Sequence, residues 1–227
     1  MSKATLTDTL TLDGLIHLWG AAGSGKTLFA CSIAAEISSY SKVEWINTDS
    51  KHSFIPFLKR TIDSVGGVIQ NVCVSMMGDR NEALDHILGL PQSLQKGVSL
   101  VVIDPITRLL DMARKNPILW GRELVEEVLP TLAGLVQERG LTIIITSESR
   151  ELTESGNLAV HYRNIKKWVD HDLVLVRQPL EDSTRILRVI DTLENREQLG
   201  VLRLQEDGSP TVQPYLSRVS ELVGGNS

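Results

Sequence analysis

Cysteine is scarce in this chain, and nothing surrounds it that metal or redox chemistry would need. Cys31 and Cys73 are the two cysteines among 227 residues. Neither a CxxC pair nor a His–Cys cluster occurs, which excludes a thiolate metal site and a disulfide framework. The expectation is two small buried hydrophobes in a reducing cytoplasm. Long apolar runs are also missing. Leu100–Ile103 is typical of the longest, far short of the roughly 20 residues that span a bilayer. No charged-then-apolar leader opens the chain, so no membrane partner is expected. There is no excess of positive charge: 23 Lys and Arg stand against 28 Asp and Glu, a net charge of −5. Any nucleic-acid surface must therefore be local. With no internal repeat and no low-complexity linker, the chain reads as a short Thr-rich leader (1–14) followed by one α/β core (15–227).

What is present is a phosphate-binding loop. Gly20-Ala21-Ala22-Gly23-Ser24-Gly25-Lys26-Thr27 fits G-x-x-x-x-G-K-[ST] in full. It follows the apolar run Leu15–Trp19 and opens into the helical pattern that begins at Leu28. Glycines let successive backbone N–H groups wrap a phosphate, and the new helix adds the positive end of its dipole. The expected contacts run from Gly20 through Leu28. Lys26 reaches the β- and γ-phosphates, and the Thr27 hydroxyl holds Mg²⁺.

The remaining pattern predicts alternating strands and helices. Val43–Asn47, Ser99–Ile103 and Leu141–Thr146 read as strands, and Val68–Met76 as extended chain. Phe54–Val65 and Asn81–Leu90 read as helices, the second ending before Pro91. A long helix over Arg122–Arg139 should be kinked by Pro130. Alternation of this kind implies right-handed βαβ units and a mainly parallel sheet. Asp172–Val176, Arg185–Ile190 and Gly200–Gln205 have no helix between them and are expected as antiparallel strands at the sheet edge.

Three further segments stand at predicted strand ends, where ligands collect in such sheets. Asp104 closes Leu100–Ile103 and either completes a Mg²⁺ shell with Thr27 or makes a strand-end turn with Pro105. Asp49 closes the second strand and either orients the attacking water or belongs to a helix N-cap region. Thr146-Ser147-Glu148-Ser149-Arg150 forms a polar cluster suited to sensing a γ-phosphate.

Taken together, the loop, Trp45–Asp49, Leu100–Leu110 and Ile145–Arg150 resemble the RecA/RadA recombinase family, closest to its short archaeal core-only, RadB-like paralogues. The resemblance spans about residues 12–205. It implies a RecA-like core that binds ATP and Mg²⁺, with Lys26, Asp49 and Glu148 in catalytic roles. Asp49 stands where the family has a catalytic Glu, and Glu148 where it has an amide. A carboxylate cannot donate a hydrogen bond to phosphate, so slow turnover is expected. The family's two DNA-contacting loops correspond to about 111–121 and 151–163. They make Arg114, Lys115, Arg163, Lys166 and Lys167 candidate single-strand contacts, with His161, Tyr162 and Trp168 interleaved. Residues 1–14 hold neither the helical domain nor the Phe linker of filament-forming relatives. The resemblance therefore implies an accessory protein that works with a full-length RadA-type recombinase or other recombination proteins, in the cytoplasm or on the nucleoid. A KaiC-like or archaellum-regulator-type ATPase acting through protein partners is the alternative. A nucleotide-gated adaptor without turnover is a third.

Overall fold

A computed structural model describes residues 12–116, 119–152, 156–159, 162–178, 185–193, 198–204 and 210–214, together with Leu6 and Leu10. Its centre is a twisted sheet whose parallel part contains β1 (Leu15–Gly20), β2 (Lys42–Asn47), β3 (Val72–Met76), β4 (Val98–Asp104) and β5 (Thr142–Leu152). A short antiparallel strand, β6 (Gly156–Ala159), pairs with the far end of β5. The sheet continues through β7 (His171–Gln178), β8 (Arg185–Asp191), β9 (Gln198–Leu204) and β10 (Pro210–Pro214). The spatial order is β10-β9-β8-β7-β1-β5-β4-β2-β3. This is a mixed α/β fold of RecA-like type, mainly parallel with antiparallel strands toward the C-terminal end.

The Leu100–Ile103 run of β4 is apolar and buried because both faces of the sheet are covered there. Leu100 and Val102 point into one hydrophobic layer, with Phe29, Ile33, Leu58 and Ile62. Val101 and Ile103 point into the other, with Ile87, Leu129, Leu132 and Leu135. Helix α1 (Lys26–Ile37) is buried nearly all round, which its run of Ala, Ile and Phe permits. Helix α2 (Ile55–Val65) lies on the same face and is stopped by Gly66 in a left-handed conformation. Helix α3 (Arg80–Leu88) is capped by Asp79, whose carboxylate accepts the backbone N–H groups of Asn81 and Glu82. Leu6, Leu10 and Leu12 are buried in the α1 layer, so part of the expected leader packs on the core.

Some expectations gain detail and others need correction; Cys31 is buried as expected, but Cys73 is exposed. The helix before Pro91 does end, at Leu88, and Pro91 itself sits in the first turn of a further short helix, α4 (Leu90–Ser93), where its missing N–H costs nothing. The Arg122–Arg139 pattern is a widened π turn at Leu124–Val128 followed by α5 (Leu129–Arg139). The Leu129 N–H reaches back to Leu124 O, and the wide turn accommodates Pro130 in the first turn of α5. The strand containing Asp172 is parallel, not antiparallel. After β6, a short helix, α6 (Tyr162–Ile165), returns the chain so that β7 enters beside β1, with His17 opposite Asp172. From β7 onward the pairing turns antiparallel, starting with β8. Among the described residues, no helix is long and apolar enough to cross a membrane.

Candidate functional site

The carboxyl ends of β1, β2, β4 and β5 meet at one edge of the sheet. Asn47 lies opposite Asp104 in the β2–β4 register, and Gly20 opposite Glu148 in the β1–β5 register. Gly20 turns the chain out of β1 at φ +154°, where an added Cβ would stand 2.5 Å from Leu175 O. Gly25 then starts α1 at φ 100°, a left-handed geometry that a side chain would strain. The loop between them exposes Ala21, Ala22 and Gly23 to solvent.

Lys26 is 9 % exposed, and its Nζ donates to Gly20 O and Ala21 O, each at 3.0 Å. Burial pulls its ammonium below the ordinary lysine range, opposed by the charges of Glu148 and Asp104. Thr27 Oγ1 donates to Asp104 Oδ2 at 2.9 Å, and the Thr146 hydroxyl donates to Oδ1. Asp104 is 6 % exposed. Burial raises its carboxyl above the usual range; the two threonine hydroxyls oppose this, the nearby Asp49 charge adds to it, and Lys26 opposes it.

These groups line a cleft of about 240 Å³ that also includes Asn47, Asp49, Lys51, Phe54 and Glu148. Asp49 Oδ2 lies 2.7 Å from Lys51 Nζ, and Asp49 Oδ1 accepts the Lys51 N–H at 3.2 Å. Phe54 stacks on the buried Trp45 ring, with centroids 4.8 Å apart, and so fixes one wall. On the other side of the loop a more open hollow of about 350 Å³ is bounded by Trp19, Ser149 and Val174–Arg177. Leu28 packs against the core and lines neither space.

The donor set fits a magnesium nucleoside triphosphate. A hydroxyl and a carboxylate stand side by side, an ammonium is engaged only by carbonyls, and the buried Asn47 Oδ1 in the cleft wall lacks a partner. Magnesium bound in this way keeps most of its shell from phosphates and water. Thr27 and Asp104 are the residues that would hold it.

Asn47, Lys51 and Phe54 were not singled out by sequence reasoning. Their position just beyond the end of β2 was the available signal. A second constellation was missed altogether. His17 Nδ1 lies 2.6 Å from Asp172 Oδ1, and His17 Nε2 lies 2.6 Å from Ser147 Oγ. A carboxylate only accepts, so Nδ1–H donates to Asp172, and in the neutral ring Nε2 accepts from Ser147. Trp19 Nε1 and the Thr192 hydroxyl also donate to Asp172 Oδ2. The order Ser–His–Asp is that of a nucleophilic triad. All three side chains are 0 % exposed, however, so no substrate reaches them. The network instead ties β5, β1 and β7 together beneath the loop.

The five basic candidates separate. Arg114 Nε donates to Asp111 at 2.9 Å, its other nitrogens reach Glu123 and Leu119 O, and Arg80 joins Glu123 at 3.2 Å. Lys166 Nζ donates to Thr192 O at 3.0 Å. Lys115, Arg163 and Lys167 are exposed. The side chains of Arg150, Glu151 and Tyr162, together with Glu154 and His161, lie outside the described residues.

No family profile matches the sequence, and no curated protein matches it. Structure is more informative. A crystal structure of the RadB recombinase superposes with a TM-score of 0.68, covering 86 % of this chain and 89 % of that one. The chain has the fold of the RadB recombinase. Identity over the match is 18 %, so the likeness carries the fold and leaves the chemistry to the site. Solved chains with matching folds number 363, and a fold that common does not by itself choose an activity.

Proposed function

We propose that this chain is a RecA/RadA-like recombinase paralogue that binds ATP with Mg²⁺, hydrolyses it slowly, and modulates homologous recombination and DNA repair through DNA or a recombinase partner. One observation carries the nucleotide half of this reading. Lys26, Thr27, Asp104 and Thr146, from a loop and two strands far apart in sequence, converge on one cleft at the start of α1. The likeness to the RadB recombinase supports the recombination half.

The bound ion would neutralise charge on the terminal phosphates. The chain's residues do the rest. The loop amides and Lys26 hold the phosphates, and Asp104 is kept in place by two hydroxyls. Asp49, which lines the cleft, is the water-orienting candidate. Its engagement with Lys51, together with the carboxylate at Glu148, also favours a second reading as a nucleotide-gated adaptor that turns over little or not at all.

Equilibrium binding of a fluorescent, non-hydrolysable ATP analogue to wild type and Lys26→Ala tests the site. Binding that needs Mg²⁺ and falls at least tenfold in the variant is the expected result. Equal affinity of the two proteins would remove the site assignment. Phosphate release with and without single-stranded DNA then separates slow enzyme from adaptor.

A further inference from the structure

The cleft has an unusual charge pattern for a space that takes a triphosphate. Three carboxylates, Asp49, Asp104 and Glu148, line it with two ammonium groups, Lys26 and Lys51. Lys26 is engaged at the loop. Lys51 stands with Asp49 and carries a charge that also interacts with Glu148 and, repulsively, with Arg108.

Its placement is built into the backbone. Ser50 has φ 57°, the only positive φ of a residue other than glycine among those described. That left-handed step folds the chain back, so that the Lys51 N–H meets Asp49 Oδ1. Ser50 Oγ donates to Met77 O at 3.3 Å, and the Met77 N–H donates to Asn47 O at 2.8 Å, which pins the turn to the end of β3. The Lys51 side chain is 64 % exposed, against 10 % for Asp49, so the lysine is the partner able to move. With its lysine end in solvent the pair is weakened, and a phosphate competes for that lysine.

We propose that Lys51 reads the terminal phosphate directly: it leaves Asp49 for the γ-phosphate, supplying from within this chain the hydrogen-bond donor that Glu148 cannot. This inference rests on the nucleotide reading of the cleft. Release from Lys51 frees Asp49 only when a triphosphate is present, so the water-orienting carboxylate becomes available at the moment it is useful. With a diphosphate the lysine stays on Asp49.

The test is the ratio of affinities for a non-hydrolysable ATP analogue and for ADP, each with Mg²⁺, in wild type, Lys51→Ala, Lys51→Arg and Lys26→Ala. Lys51→Ala should weaken the triphosphate about tenfold, in the range of a charge-assisted hydrogen bond, and leave ADP within about twofold. Lys51→Arg should restore most of the difference, and Lys26→Ala should weaken both nucleotides. Equal losses for ATP analogue and ADP in Lys51→Ala, or no loss for either, would overturn the role given to Lys51 while leaving the site intact. A wild-type protein that binds neither nucleotide would overturn the site reading and this inference with it.

Discussion

Replacing Asp104, the carboxylate proposed to hold Mg²⁺, should make the ligand-free protein more stable. Asp104 is 6 % exposed, its hydrogen bonds come from the neutral hydroxyls of Thr27 and Thr146, and Lys26 donates to loop carbonyls instead. The charge is therefore buried without a contacting cation, and burial raises its carboxyl above the usual range. In Asp104→Asn one amide atom can accept and the other donate, since a threonine hydroxyl does both, so the hydrogen bonds survive. What is lost is a desolvated charge, offset by its attraction to Lys26. The net expectation is a gain of about 1 kcal/mol, the size typical of relieving a functional site. For a chain of this length that is a rise of roughly 2–4 °C in Tm at neutral pH without nucleotide. The sign with pH follows from proton uptake. A raised native value means the native state binds more protons than the unfolded state between the unfolded value, about 3.9, and the native one. Wild-type stability therefore falls as pH rises through that window. The advantage of the variant is full above the native value and vanishes below about pH 4. On the proposed function Mg²⁺ and ATP should reverse the order, because a ligand at a hundred times its Kd would add about 2.7 kcal/mol to a wild type that binds it and less to a variant that binds it weakly. Thermal melts of both proteins across pH, with and without Mg²⁺ and nucleotide, measure all of this. A ligand-free variant that melts below wild type at neutral pH would refute the picture of an uncompensated charge.

Two other outcomes follow from the same geometry. His17→Phe leaves Ser147 and one oxygen of Asp172 unpaired in a fully buried site. It should cost about 3 kcal/mol in a urea titration, and a loss under about 0.5 kcal/mol would show that the network is dispensable. Arg163→Glu combined with Lys167→Glu should weaken single-stranded DNA binding and flatten its dependence on log salt by about 0.7 for each phosphate contact removed. Wild-type protein that binds no single strand at low salt would assign these residues to a protein partner instead.

The parts of this molecule that sequence revealed are those in which one short stretch carries the whole physical requirement. Gly20–Thr27 needs small residues where φ is positive and a lysine and hydroxyl at fixed offsets, and all of that lies within eight positions. Leu100–Asp104 declares itself because a stretch buried on both faces must be apolar at every step until it reaches the carboxyl edge of the sheet. What stayed hidden is assembled across the sheet. His17 sits inside a run that reads as apolar, and its partners are 130 and 155 residues away. A polar side chain in such a run is legible only after the neighbouring strands are known, and the parallel entry of β7 that supplies Asp172 depends on a return through α6 that no periodicity announces. Lys51 was hidden differently. A lone lysine beyond a strand looks like solvated surface, and only the left-handed Ser50 turns it back onto Asp49. Sequence therefore picks out the loop proposed to hold phosphates, and it misses the residues proposed to respond to them. Holding a phosphate is a local backbone property, whereas responding to one requires side chains from several strands to share a cleft.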